Sequence, residues 1–375
     1  MLKNFLKLSP KIAVVIFVTI ILIPILNLPR YNSTTVNAES DFTQTNHTTD
    51  TNTNSDTNKN LSDSAGRAVK VWFITGTSSG FGLEVTKALL LRGDFVAATA
   101  LDPEVHFELQ KRYKDKILPL RVDVTKRVEV EAAVREAVKF FGRIDVVLNN
   151  AGIGYWGAVE ELSEEELRRQ FDVNFFGSFR VIQAVLPVLQ KQRGGHIIQI
   201  SSIAGQAAFP LTGAYSSSKW AVEALNETVA IETAKFGIRV SIIEPGPFKT
   251  NFFRSIKYAE NVMEKYSPNY DPSKATNQID QKKITNKERI AELESVMNRA
   301  GDDVAAKPKN NAATEMLGGR ISDDSGYDDP AKVVKVILKV ADAKKPPLRV
   351  IVGKNAKELI EKIYKQRLKE WNEWE

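Results

Sequence analysis

One stretch constrains the fold of this chain more than any other. Val69-Lys70-Val71-Trp72-Phe73-Ile74-Thr75 is a nearly unbroken apolar run, and it passes directly into Gly76-Thr77-Ser78-Ser79-Gly80-Phe81-Gly82. From Leu83 to Arg92 the pattern is helical, and it stops at Gly93. The run reads as a buried strand. A glycine-rich turn between strand and helix leaves backbone N–H groups and the helix N-terminus available for a pyrophosphate. The spacing is G-x-x-x-G-x-G rather than G-x-G-x-x-G, so the turn is expected to hold an anion through Gly76, Ser78, Ser79, Gly80, Phe81 and Gly82.

The alternation continues. Phe95 to Ala100 is a second strand, and the residues just past it, Leu101 and Asp102, are placed to meet a ribose. Asp102 could accept from a free ribose hydroxyl or could serve as a turn residue before Pro103. No arginine stands there to hold a 2′-phosphate, which leans the expectation towards NAD over NADP. Leu118 to Val122 is a third strand, followed by Asp123. Glu129 to Phe140 is an amphipathic helix with Val130, Ala133, Val134 and Val138 inward. Ile144 to Leu148 is a fourth strand, ending in Asn149-Asn150-Ala151-Gly152. Strands and helices alternating at this length indicate a doubly wound parallel α/β sheet. Ligands then bind at the carboxyl ends of the strands.

Composition narrows the chemistry. The 375 residues are 43% apolar and 26% charged, enough to bury a core. The net charge of +6 is modest and no aromatic-interleaved basic patch occurs, which argues against a nucleic-acid partner. There is no cysteine, so disulfides, thiolate metal sites and a thiol nucleophile are excluded. The three histidines, His47, His106 and His196, are far apart, and no metal centre is expected.

The catalytic candidates lie further on. Tyr215 and Lys219 stand four apart, on one face of a helix. An ammonium beside a phenol favours the phenolate, and the pair can then exchange a proton with a carbonyl or alcohol near neutrality. Ser201-Ser202 closes a strand predicted from His196 to Ile200, and a hydroxyl there can hold a substrate oxygen against the phenol. Asn174 lies between a helix predicted from Glu164 to Phe171 and a second opening near Gly177. It can bridge a proton-carrying water chain to the lysine or act as a helix cap.

From about Val69 onward the chain resembles the short-chain dehydrogenase/reductases, in the style of the retinol- and steroid-dehydrogenase-like branch. The resemblance rests on Thr75-Gly76-x-x-x-Gly80-x-Gly82, Asp123, Asn149-Asn150-Ala151-Gly152, Asn174, Ser202, Tyr215-x-x-x-Lys219 and Pro245-Gly246, in that order. It implies a Rossmann-like sheet of about seven strands and an NAD(P)-dependent alcohol–carbonyl oxidoreductase acting on a small or apolar carbonyl compound. It also implies roles. Tyr215 transfers the proton, Lys219 lowers its pKa and holds the nicotinamide ribose, Ser202 orients the carbonyl and Asn174 completes the relay. Asp123 contacts the adenine, Asn150, Ala151 and Gly152 line the cofactor floor, and Pro245, Gly246 and Thr250 flank the nicotinamide. The alternative reading is a nucleotide sensor or scaffold that binds without turnover. The resemblance further implies a homo-oligomer, dimer or tetramer, pairing through the helices around Ala184 and Ala221.

The rest of the chain frames this domain. Lys3, Lys7 and Lys11 precede an apolar run from Ile12 to Leu28 that would span roughly 26 Å as a helix, just enough to cross a bilayer core. Residues 1–30 are expected to be a membrane anchor, with a signal segment as the alternative. The flanking charges place the rest outside, whereas nicotinamide chemistry suits the cytosolic side. Residues 31–66, rich in Asn, Thr, Ser and Asp, read as a polar tether, and 67–375 as one domain. Within it, residues 251–330 form a substrate-lid insertion, with one amphipathic helix at Ile290, Leu293, Val296 and Met297. Tyr155, Trp156 and Phe209 are expected near an apolar pocket. A helix from Pro330 to Val340, a last strand at Pro347–Gly353 and a charged helix from Lys354 to Trp374 complete the expectation.

Overall fold

The computed structural model describes residues 68–260, except 249 and 251, together with 328–374. The anchor, the tether and most of the lid insertion, including its helix, lie outside these residues. Among the described residues no helix is long and apolar enough to cross a membrane.

Seven parallel strands form the sheet. They are β1 (Val71–Thr75), β2 (Phe95–Ala100), β3 (Ile117–Arg121), β4 (Val146–Asn149), β6 (Gly195–Ile200), β7 (Ile238–Pro245) and β9 (Arg349–Val352). Their order is β3-β2-β1-β4-β6-β7-β9, so the direction of winding reverses between β1 and β4. Every pairing is parallel. The expected doubly wound sheet is therefore present with its expected strand count, and its crevice is expected at that switch point.

The central strands are mostly apolar because both faces are covered. Val71 and Phe73 point into one core layer with α3 (Arg127–Phe141) and α5 (Gly177–Gln192). Trp72 and Ile74 point into the other, against α1 (Gly80–Arg92) and α8 (Ala331–Asp342). The periodicity within α3 follows the same logic: Val130, Ala133, Val134, Ala137 and Phe141 are its buried residues. The left-handed Gly93 ends α1, accepting no side chain and donating its N–H back to the last turn.

Three local features differ from the sequence expectation. A short helix α2 (Phe107–Tyr113) fills the connection after β2. The helix α4 (Glu164–Phe171) does not stop before Gly177 but runs into α5 through a π turn, Asp172–Phe176. A second, two-stranded parallel sheet pairs β5 (Tyr155–Trp156) with β8 (Lys257–Tyr258), just after the four-residue helix α7 (Phe252–Ser255). Pairs so far apart in sequence leave no local pattern. The charged terminal helix is α9 (Ala356–Glu373), which packs Ile360 and Ala356 against Ile203 and Ala207.

Two of the histidines are buried in this framework. His106 Nε2 meets the Thr77 hydroxyl at 2.7 Å, and His196 Nε2 meets that of Ser241 at 3.0 Å. Burial, reinforced by Arg239 and Lys70, pushes His196 down to about 3. A lowered folded value means the stabilisation is complete above pH 6.5 and is lost as the pH falls towards 3. The loss at pH 5 amounts to about 2 kcal/mol for this one group. In a His196→Gln variant, the fall in urea-unfolding stability between pH 7.5 and pH 5 should be smaller than in the wild type by about that amount.

Candidate active site

The carboxyl ends of β1 and β4 are tied together by Thr75. Its hydroxyl accepts the backbone N–H groups of Asn150 at 2.9 Å and Ala151 at 3.0 Å. In return the Asn150 side-chain amide donates to the carbonyls of Thr75, at 2.9 Å, and Gly76, at 3.0 Å. The chain then turns at Gly76 with φ +70°, where a Cβ would stand 2.8 Å from the Ala151 backbone. Gly82 is tighter still, since a Cβ there would lie 2.2 Å from the Gly76 carbonyl. Only glycine allows helix α1 to begin this close to the strand end.

The start of α1 suits an anion. Ser79 at its N-cap makes no side-chain cap, and no acidic residue occupies the first turn. The dipole and the first N–H groups therefore face a cleft of about 530 Å³. Gly76, Ser78, Ser79, Gly80 and Phe81 line it, with Ala100 and Leu101 from the end of β2. Asp123, Asn150, Ala151 and Gly152 line its floor, and Pro245, Gly246 and Thr250 its far wall. Burial favours a neutral Asp123, but hydrogen bonds from the Thr125 N–H and hydroxyl, with Arg169 and Lys126 nearby, outweigh it and hold the carboxyl below its ordinary range. The shape and donor set of this half fit a dinucleotide.

The proton-handling groups enter from two elements on the other side. Ser202 stands at the end of β6, where its hydroxyl accepts from Ala204 N–H at 3.1 Å. Helix α6 (Gly213–Thr233) carries Tyr215 and Lys219 one turn apart. Its second turn passes under the end of β6, so the Lys219 ammonium donates to the Ile200 carbonyl at 3.0 Å. The same ammonium lies 5.6 Å from the Tyr215 ring centroid. Tyr215, Ser202 and Lys219 all face the cleft.

The electrostatics correct one expectation. Lys219 was expected to draw the Tyr215 phenol down. Instead burial pushes the phenol up to about 12, against its hydrogen bond with Ser202. Burial likewise pushes Lys219 down to about 8, with Glu223 acting the other way. The phenol is thus a loaded acid at neutral pH. In this geometry it can hand a proton to an oxygen held by Ser202.

Three of the expected site residues sit elsewhere. Asp102 does not line the cleft, because its carboxylate caps the short turn Pro103–His106 by accepting the Glu104 N–H at 2.9 Å. The turn reading of that residue is the one the structure bears out. Gly82 is packed behind the turn rather than facing the cleft. Asn174 is buried in the π turn, where its amide donates to the Ile153 carbonyl at 3.0 Å and the Ser218 hydroxyl at 3.1 Å. Its Oδ1 accepts the Ile153 N–H at 2.9 Å, so its side chain braces the cleft floor from behind.

The opposite end of the cleft is apolar. Trp156, Phe209, Leu211, Phe252, Ile256 and Tyr258 line it. The Phe252 ring lies 5.5 Å from that of Tyr215, and Trp156 meets Tyr258 edge-on at 6.5 Å. Tyr155, also expected here, is turned into the protein, whereas Phe248 and Tyr258 had no sequence signal. Both are positioned by nonlocal pairing, Phe248 with Asp328 and Tyr258 with Trp156.

The sequence pattern of the short chain dehydrogenase family matches residues 70–261. Oxidoreductase BOA17 of Botryotinia fuckeliana (strain B05.10) is 35% identical over 290 residues, covering 77% of this chain and 90% of its own. The 3-ketodihydrosphingosine reductase of Bacteroides thetaiotaomicron is 39% identical over 203 residues, 54% of this chain and 73% of its own. Among solved structures, a short-chain dehydrogenase from Streptomyces avermitilis superimposes with a TM-score of 0.62 at 31% identity, over 82% of this chain and 97% of that one.

The glycine geometry is directly testable. Gly82→Ala should lower stability by roughly 1–3 kcal/mol, since the added methyl must displace backbone. It should also weaken nicotinamide-nucleotide binding by about tenfold or more, measured by nucleotide fluorescence beside a denaturant melt.

Proposed function

The chain belongs to the short-chain dehydrogenase family, NAD(P)-dependent oxidoreductases acting on CH–OH groups, and we propose that it reduces a ketone carried on an apolar chain, with Tyr215 as general acid. The observation that carries this reading is the convergence of Tyr215, Ser202 and Lys219 on the cleft that the glycine-rich turn also opens into. The apolar end of that cleft, lined by Trp156, Phe209 and Phe252, suits a hydrocarbon substituent. A relative that is a 3-ketodihydrosphingosine reductase is consistent with such a substrate.

The division of labour follows from the positions. The turn Gly76–Phe81 and the N-terminus of α1 would hold the pyrophosphate, Asp123 the adenosine side, and Pro245, Gly246 and Thr250 the nicotinamide side. A bound nicotinamide nucleotide supplies the hydride. Ser202 holds the carbonyl oxygen by its hydroxyl and Tyr215 delivers the proton to that oxygen. Lys219 binds the ribose and stabilises the negative charge that remains on the phenol. Burial keeps the Tyr215 phenol protonated at neutral pH, the state that a reduction starts from. Since Asp102 is committed to its turn, it gives no ground for preferring NAD, and both NADH and NADPH are candidate donors. The apolar run at residues 12–28 would attach the enzyme to a membrane, a reading tested by whether deleting it releases the protein from the membrane fraction.

Nicotinamide absorbance of the full-length chain, followed with NADH and NADPH against methyl ketones of increasing alkyl length, tests the central claim. Turnover should rise with chain length. Tyr215→Phe should reduce kcat by roughly 10²–10⁴-fold while leaving nucleotide binding within about threefold. Turnover that survives in Tyr215→Phe would exclude the phenol as the acid.

A further inference from the structure

A buried ionic cluster lies directly beneath the proton-handling groups, and nothing in the reaction as described uses it. Glu223 follows Lys219 by one helical turn on the same face of α6. It is 5% exposed. Its Oε2 accepts from Arg349 Nε at 3.0 Å, and the same guanidinium reaches Glu227 at 2.8 Å and Glu244 at 3.6 Å. Glu244 is the penultimate residue of β7, is 1% exposed, and accepts from the Gln206 amide at 3.0 Å. Gln206 in turn is held by Tyr364 at 2.5 Å and by Arg367 from α9. The groups facing Glu223 are therefore Lys219 and Glu227 on its own helix, Glu244 from β7, Arg349 from β9, and Ser201 from the end of β6.

The other oxygen of Glu223 is the informative one. Oε1 and the Ser201 hydroxyl are both buried and face each other; burial pushes the Glu223 carboxyl up, and the Ser201 hydroxyl and Arg349 act the other way. They converge on Gly205, where a Cβ would stand 2.8 Å from Ser201 Oγ and 3.2 Å from Glu223 Oε1. The carboxylate thus gives one oxygen to its guanidinium partner and turns the other towards Ser201, the residue that precedes Ser202. Two buried acids beside a partly exposed arginine are a poor way to gain stability, because desolvation offsets much of their attraction. Their placement under Lys219 and Ser202 argues for a role in the reaction.

We propose that Glu223 is a positioning residue for the reaction, fixing the charge of Lys219 from one turn away while Arg349 holds it in place. This rests on the oxidoreductase reading above. Glu223 touches neither substrate nor cofactor and acts through Lys219. Burial alone makes the lysine shed its proton readily, and the carboxylate counters that tendency. The buried like charge of Glu244, whose carboxyl is pushed up to about 7 by burial and by Glu223, competes for the same arginine.

The test is a titration of Lys219 itself in the full-length chain labelled with 13C at the lysine ε-carbons, the signal being assigned by its loss in Lys219→Arg. In Glu223→Gln the Lys219 midpoint should fall by about one pH unit. In Glu223→Asp, which keeps the charge, it should stay within about 0.3 of the wild type. The kcat–pH profile for ketone reduction should lose its basic limb at correspondingly lower pH in Glu223→Gln, with kcat down about tenfold. An unmoved Lys219 midpoint in Glu223→Gln, or an equal displacement in Glu223→Asp, overturns the proposal. Should Glu223→Gln fail to fold, Lys219→Met decides by reciprocity: without the ammonium the Glu223 carboxyl, followed by 13C at the glutamate δ-carbons, should titrate at higher pH, and an unmoved midpoint overturns the proposal. Absence of turnover with every ketone would count against the oxidoreductase reading, while the titration still decides the role of Glu223.

Discussion

The hydroxyl of Thr75 is the point on which the site depends. It accepts two backbone N–H groups from the loop after β4, and so joins the strand ends on either side of the switch point. Without such an acceptor the N–H groups of Asn150 and Ala151 would be left unmet beside a cleft, at a cost of about 1–3 kcal/mol each. With it, the Gly76 turn is pressed against Ala151, and the Asn150 amide closes the remaining carbonyls of the turn. The helix start, the cleft floor and the reach of α1 all follow from that junction. The close approach also explains why alanine at Gly76 or Gly82 would have to displace backbone.

Much of this was legible because it is local. A strand, a glycine turn and a helix follow one another within 24 residues from Val69 to Arg92, and each has its own pattern. Tyr215 and Lys219 could be paired because helical spacing needs no tertiary information. Asp102 was not decidable in the same way. A carboxylate one residue before proline can serve a ligand or its own turn, and here the Glu104 N–H is the nearer donor. Asn174 could be placed between two helices, but the π turn that joins them, with Gly177 packed so that an added Cβ would lie 2.8 Å from the Val124 side chain, is set by nonlocal packing. The proton affinity of Tyr215 is illegible for a related reason: spacing reports the neighbouring lysine, whereas burial is a property of the folded cleft.

The two ends of the cleft are built by different physics. The nucleotide end is made of backbone and small residues at strand termini, and it is set by the sheet. The apolar end is made of aromatic rings on segments that meet only through nonlocal pairing, such as the β5–β8 clasp that brings Tyr258 to Trp156. The first kind of surface is fixed by the architecture, while the second can be altered by exchanging a few rings without disturbing the sheet.

The seventh strand has a consequence for how the protein is made. β7 pairs on one side with β6, which precedes it closely, but on the other with β9, which begins 104 residues after Pro245 ends β7 (349 − 245). At roughly 5–20 residues per second a ribosome needs on the order of 5–20 s to reach it. During that interval the nascent sheet presents β7 as an open edge, and the Gly246 N–H lacks the Val352 carbonyl that later receives it. An open apolar edge is a template for pairing with other chains. The strand that covers the edge beside Pro245 and Gly246 is therefore synthesised last, and the interval before β9 arrives is when the growing chain is most exposed to misassembly and to capture by chaperones.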